Sequence, residues 1–135
     1  MHDPRTEGAR WLDQAENDLA FARYALQGEF YHQVCFAAQQ CVEKALKSVL
    51  YSEGARNVIG HSAVGLLGRL IPNHPKLDPL RDHAAELDLY YIPSRYPNGL
   101  VEGAPHGAFT RSQAERAVDS AEQTLAAVKL ELAAR

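Results

Sequence analysis

The stretch "GEFYHQVCFAAQQCVEKALKSVLYSEG", residues 28–54, decides the fold. Within it Val34, Ala38, Cys41, Ala45 and Val49 recur at spacings of three and four, one apolar stripe on a helical surface. The stripe predicts a helix from about Phe30 to Ser52, closed by Gly54. Upstream, Leu12, Ala15, Leu19, Ala22 and Leu26 repeat the pattern, so a first helix is expected from Pro4 or Thr6 to Gln27. Gly28 follows it as a natural C′ residue. The link between the two helices is so short that they must fold back antiparallel.

Downstream the signals weaken and then recover. A third, shorter helix fits Ser62 to Leu70, with Ser62 as N-cap and Val64, Leu67 and Ile71 on one side. Gly65 and Gly68 each weaken it by up to ~1 kcal/mol relative to alanine. "IPNHPKLDP", residues 71–79, interrupts the pattern with three prolines. A fourth helix is expected over Pro79 to Tyr90, with Leu80, Ala84, Leu87 and Tyr91 as its apolar positions. The last helix starts at Thr110, where Gln113 completes a capping box. Ala114, Val118, Ala121, Leu125, Val128 and Leu132 form its stripe. No segment alternates with the period of two that a strand requires. The expectation is an all-α, up-and-down helical bundle of about five helices, three of them long, in one domain spanning residues 1–135. Frequent alanine along the stripes lets helices approach closely and leaves apolar surface for a second copy of the chain.

The totals exclude several function classes. The chain has 135 residues, is 46% hydrophobic and carries a formal net charge of −3. That balance argues against holding duplex DNA by bulk charge, although a local basic patch is compatible with it. Cys35 and Cys41 stand six apart on one expected helix, a rise of ~9 Å, too far for a disulfide. They read as buried apolar thiols. No apolar run is long enough to span a bilayer. "MHDPRTEGAR" lacks the apolar core of a secretory leader, so a cytoplasmic location is expected. The six histidines are scattered without metal-ligand spacing, so neither a metal nor another cofactor is expected. Phosphate-loop, dinucleotide and nucleophile-elbow motifs do not occur.

Two sets of polar residues invite a ligand. The first is "YIPSRYPNG", residues 91–99, which opens a long loop rich in glycine and proline. Loops of this kind are uncommon in compact domains unless they work. Pro93 and Pro97 stiffen it, Arg95 can fork onto a phosphate or carboxylate, and Tyr96 can stack on a base. The alternative is a structural clamp, with Arg95 paired to Asp88 or Glu86. The second set is Gln40, Lys44 and Lys47, which share a helix face. They form either a solvated edge, with Lys47 paired to Glu43, or a cationic strip for a phosphate. His61, at the start of the third helix, is either a cap or packing residue or a base.

Four stretches taken together carry a resemblance: residues 28–54, "GHSAVGLLGRL" (60–70), "LDLYYIPSRYPNG" (87–99) and "AFTRSQAERAVDSAEQTL" (108–125). Their most specific parts are A-x-Q-Q-x-x-E-K-A-L-K ending at Lys47, the pair His61-Ser62, and Y-x-P-x-R-Y-P around Arg95. In this order they resemble the higher-eukaryote-and-prokaryote nucleotide-binding domain, HEPN, from about Trp11 to Leu132. The resemblance implies a helical bundle that forms a homodimer and a nucleotide or RNA ligand. It further implies a small nucleotidyltransferase as partner in a toxin–antitoxin-type pair. Some members are metal-independent ribonucleases with an R-x(4–6)-H motif. This chain departs from them, because ten residues separate Arg95 from His106. The one formal match, Arg69-Leu-Ile-Pro-Asn-His74, is broken by Pro72 and Pro75. Three functions are therefore carried forward: a binding module using Gln40, Lys44, Lys47, His61, Arg95 and Tyr96; a ribonuclease using Arg95 with His61 or His106; and a structural dimerisation module.

Overall fold

The computed structural model describes residues 3–134 and is all-helical among them. Six α-helices follow in order: α1 (Pro4–Gln27), α2 (Tyr31–Ser52), α3 (Ala63–Leu70), α4 (Arg81–Asp88), α5 (Pro105–Ala108) and α6 (Arg111–Ala133). Two 3-10 turns, Pro75–Leu80 and Pro97–Gly99, lie between them. The three long helices are α1, α2 and α6, as the periodicity predicts. α1 and α2 are antiparallel: Gly8 lies against Ser48 and Ser52, Trp11 stacks on Tyr51, and Lys44 pairs with Asp18. Ion pairs from Arg23 to Glu122 and from Lys129 to Glu16 set α6 antiparallel to α1. α4 carries the chain back along α6, with Glu86 on Arg116 and His83 on Ser120.

Helix α2 is the centre of the molecule. Val34, Ala38, Cys41, Ala45 and Val49 are fully buried, as its stripe requires, but so are Gln39, Glu43, Lys47 and Ser48 on other faces. α1, α3, α4, α5 and α6 all pack against it. Burial pushes the thiols of Cys35 and Cys41 up to about 12, so neither is a nucleophile. The start of α6 has the expected capping box: Thr110 Oγ1 accepts from the Gln113 amide at 3.2 Å, and the Gln113 side chain accepts from the Thr110 amide at 2.9 Å.

Local details depart from the sequence reading. The left-handed residue of the α1–α2 turn is Glu29, with φ of 64°, while Gly28 has φ of −82°. A Cβ at Gly28 would lie 3.1 Å from the Phe30 ring, so a larger residue there would have to displace that exposed side chain slightly. The buried side of α3 is Ala63, Leu66, Leu67 and Leu70; Val64 faces outward. The expected fourth helix is split. Pro79 lies inside the 3-10 turn Pro75–Leu80, and α4 begins at Arg81. Tyr90, not Tyr91, enters the core beside Phe109.

Candidate functional site

The motif from Gln39 to Lys47 folds into a buried polar cluster. Glu43 accepts from Lys47 Nζ at 3.0 Å, and both residues are about 5% exposed. Gln39 donates to the carbonyl of His61 at 2.9 Å and accepts from Gln40 at 2.8 Å. Lys47 also lies over the Trp11 ring, 5.6 Å from its centroid. Lys44 is held by Asp18 at 2.7 Å on the α1 side. The expected cationic strip is therefore absent: both amines are consumed by carboxylates, and Lys47 is inside the protein. α1 meets both lysines, through Asp18 on Lys44 and Trp11 on Lys47, while Gln40 bonds Gln39 and Glu43 within α2. The Glu43–Lys47 pair is likewise not a solvated edge.

Arg95 occupies a different setting from the one expected. It is the only part-buried arginine among the described residues. Its guanidinium carbon lies 4.4 Å from the Phe36 ring centroid, 4.6 Å from that of Tyr91 and 5.0 Å from that of Tyr96. Nε donates to the carbonyl of Tyr91 at 3.0 Å, which fixes the plane of the fork. Among the described residues no carboxylate pairs with it. Asp88, expected as its partner, instead caps α3, accepting from Ser62 Oγ at 2.7 Å, the Ala63 amide at 2.7 Å and the Val64 amide at 3.1 Å. Glu86, the other expected partner, accepts from Arg116 and Tyr90. Burial and that contact with Glu86 push the Tyr90 hydroxyl up to about 12. The first amides of α3 are thus taken, those of Ala63 and Val64 by Asp88 and that of Gly65 by Ser62 Oγ.

His61 stands beside this cluster. Its ring stacks on Tyr91 at 5.0 Å and 16°, and Nδ1 lies 3.3 Å from both oxygens of Glu43. Its side chain is 60% exposed, so the other nitrogen is accessible. Arg95 and His61 are brought together around one tyrosine ring, with Tyr96 exposed at the edge. His106 does not join them. It is exposed on α5 beside His32, one turn of α2 before Phe36. Burial, and then the charge of His106, hold His32 below the usual histidine range. The formal Arg69/His74 match also fails as a site. Arg69 is exposed on α3, while His74 is buried with Nδ1 at 2.8 Å from Glu131 and Nε2 at 3.1 Å from Glu53.

Phe36 and Tyr91 were missed as site residues. Phe36 carries a signal in hindsight: it precedes Gln40 by four and Glu43 by seven, so all three share the α2 face that the loop covers. The capping role of Asp88 carries none, because its partners lie 24 to 26 residues away.

The pattern of the HEPN domain matches residues 9–131. The candidate toxin MJ1304 of Methanocaldococcus jannaschii is 28% identical over 134 residues, covering 88% of this chain and 84% of that protein. Among solved structures, TT1696 of Thermus thermophilus superposes with a TM-score of 0.86 at 38% identity, over 91% of this chain and 96% of that one. The archaeal HEPN homologue ST0689 gives 0.76 at 38% identity, over 93% and 97%. A HEPN domain protein of Thermotoga maritima gives 0.74 at 34% identity, over 92% and 98%. The chain belongs to the HEPN domain family.

Proposed function

We propose that this chain is the HEPN member of a toxin–antitoxin-type pair, that it works by binding and not by chemistry, and that its partner is a separate small nucleotidyltransferase. In this reading it acts in the cytoplasm as a homodimer of single-domain chains. Arg95 receives the anionic group of a nucleotide or of the partner. The observation that carries the reading is the guanidinium of Arg95, oriented by Phe36, Tyr91 and Tyr96 and without a carboxylate among the described residues. A cation held in this way is pre-organised, so it loses little entropy on meeting an anion. The similarity to the candidate toxin MJ1304 supports the toxin–antitoxin setting. Two measurements test it: titration of the pure protein with ATP, other nucleotides and short RNA, and co-purification with a nucleotidyltransferase encoded in the neighbouring reading frame. Failure of both removes the reading; binding of the enzyme alone leaves its protein-partner version.

A second reading is a metal-independent ribonuclease using Arg95 and His61. It is favoured by their meeting at the Tyr91 ring, with Glu43 placed to orient the imidazole. Such an imidazole can serve as a general base. Incubation with total RNA in EDTA decides it: cleavage that persists in an Arg95→Ala variant, or no cleavage at all, excludes this mechanism.

A further inference from the structure

We infer that the Arg95 surface docks a polypeptide: a partner segment that presents a carboxylate flanked by aliphatic side chains. The inference rests on the binding-module reading above and names the chemistry of the partner at that site. Val64, Leu89, Ile92 and Tyr96 are 45%, 71%, 42% and 50% exposed, although each is large and apolar. Hydrogen bonds place their backbones in one region. The Val64 amide bonds Asp88, the neighbour of Leu89, and the Ile92 carbonyl accepts from the amides of Arg95 and Tyr96. An apolar group of this kind around a polar centre is the anatomy of a recognition surface.

The charge at its centre selects the occupant. Arg95 supplies one positive charge, and the acids around it are committed: Asp88 to α3, Glu43 to Lys47 and His61, Glu86 to Arg116. A segment that buries the aliphatic residues must bring an anion to Arg95, or it strands a cation in a dry interface. A nucleic acid fits less well, because Val64, Leu89 and Ile92 offer neither stacking nor hydrogen bonds, Tyr96 alone can stack on a base, and its backbone calls for several cations. A second copy meeting this face across a two-fold axis through Arg95 would set two guanidinium groups against each other.

The test is selection of a random 12-residue phage-displayed peptide library on the immobilised full chain, followed by calorimetry with one synthetic peptide. The expected result is enrichment of peptides with Asp or Glu between Leu, Ile or Val. Replacing the acid by its amide, or Arg95 by Ala, should weaken binding at least tenfold, and Leu89→Ser severalfold. Leu89 is exposed, so that variant tests the surface even if Arg95→Ala folds poorly. Peptides without an acid, equal binding to Arg95→Ala, or no enrichment would each overturn the inference. Self-association abolished by Leu89→Ser would overturn it in favour of a second copy. Nucleotide binding without peptide binding would sink the docking inference and leave the binding-module reading standing.

Discussion

At the scale of single residues, His74 has the clearest consequence. Both ring nitrogens face carboxylate oxygens, and both can donate to them only when the imidazole carries its second proton. Burial alone would lower its pKa, but the hydrogen bonds to Glu131 and Glu53 outweigh burial and raise it. A histidine whose folded pKa exceeds its unfolded value adds stability that is complete below the unfolded value, near ~6.5. That stability is lost as the pH rises through the folded value. His74→Gln should therefore lower stability by about 1.5–3 kcal/mol at pH 6, the range for hydrogen bonds to charged groups. The gap between wild type and variant should narrow steadily toward pH 9. Melting curves of both proteins across that range check it; a gap that is constant or widens with pH contradicts the charged clasp.

At the scale of elements, three contacts hold the helices in place. Gly8 lets α1 approach α2 so closely that an added Cβ would lie 2.8 Å from the Ser48 carbonyl oxygen. Gly8→Ala gains up to ~1 kcal/mol in helix propensity but forces the backbones apart, at about 1–3 kcal/mol. Net destabilisation is expected in urea unfolding. Inside α2, Lys47→Met leaves Glu43 buried without its cation and should cost about 3–5 kcal/mol. Glu43→Leu combined with Lys47→Met should recover most of that loss, which a double-mutant cycle measures. Asp88→Ala leaves the N-cap Ser62 on the Gly65 amide but strips the acceptor from the Ala63 and Val64 amides, and should cost about 1–2 kcal/mol. These contacts also show how far the sequence could be read. Periodicity located α1, α2 and α6 because each has one continuous apolar stripe. It could not show that α2 is buried on further faces, since Gln39, Glu43 and Lys47 look polar until their partners are known. The α3–α4 region was blurred because its prolines end one helix type and permit another.

At the scale of the whole molecule, the charge pattern bounds what the protein can hold. The net charge is −3, and most cationic side chains pair within the chain: Arg10, Arg23, Lys44, Lys47, Arg81, Arg111, Arg116 and Lys129 all meet carboxylates. The sequence made Arg95 and Tyr96 conspicuous through their prolines, but a ligand role for them remains a proposal. Whether Arg95 would pair with an acid depended on where Asp88 and Glu86 went, and α3 and α6 decided that. One oriented guanidinium neutralises one phosphate. For single-stranded RNA each neutralised phosphate contributes a slope of about −0.7 to log K against log salt. If RNA binds through this site, the slope should therefore be no steeper than about −1 per protomer and should fall toward zero in Arg95→Ala. Fluorescence anisotropy of a short labelled RNA between 50 and 300 mM salt, values on the order of those used for such slopes, reads it directly. A slope of about −3 or steeper, unchanged in Arg95→Ala, would place the RNA elsewhere. Among the described residues, Arg5, Arg56, Arg69 and Lys76 are the exposed cations outside the ion pairs above, and such a surface would have to be built with them.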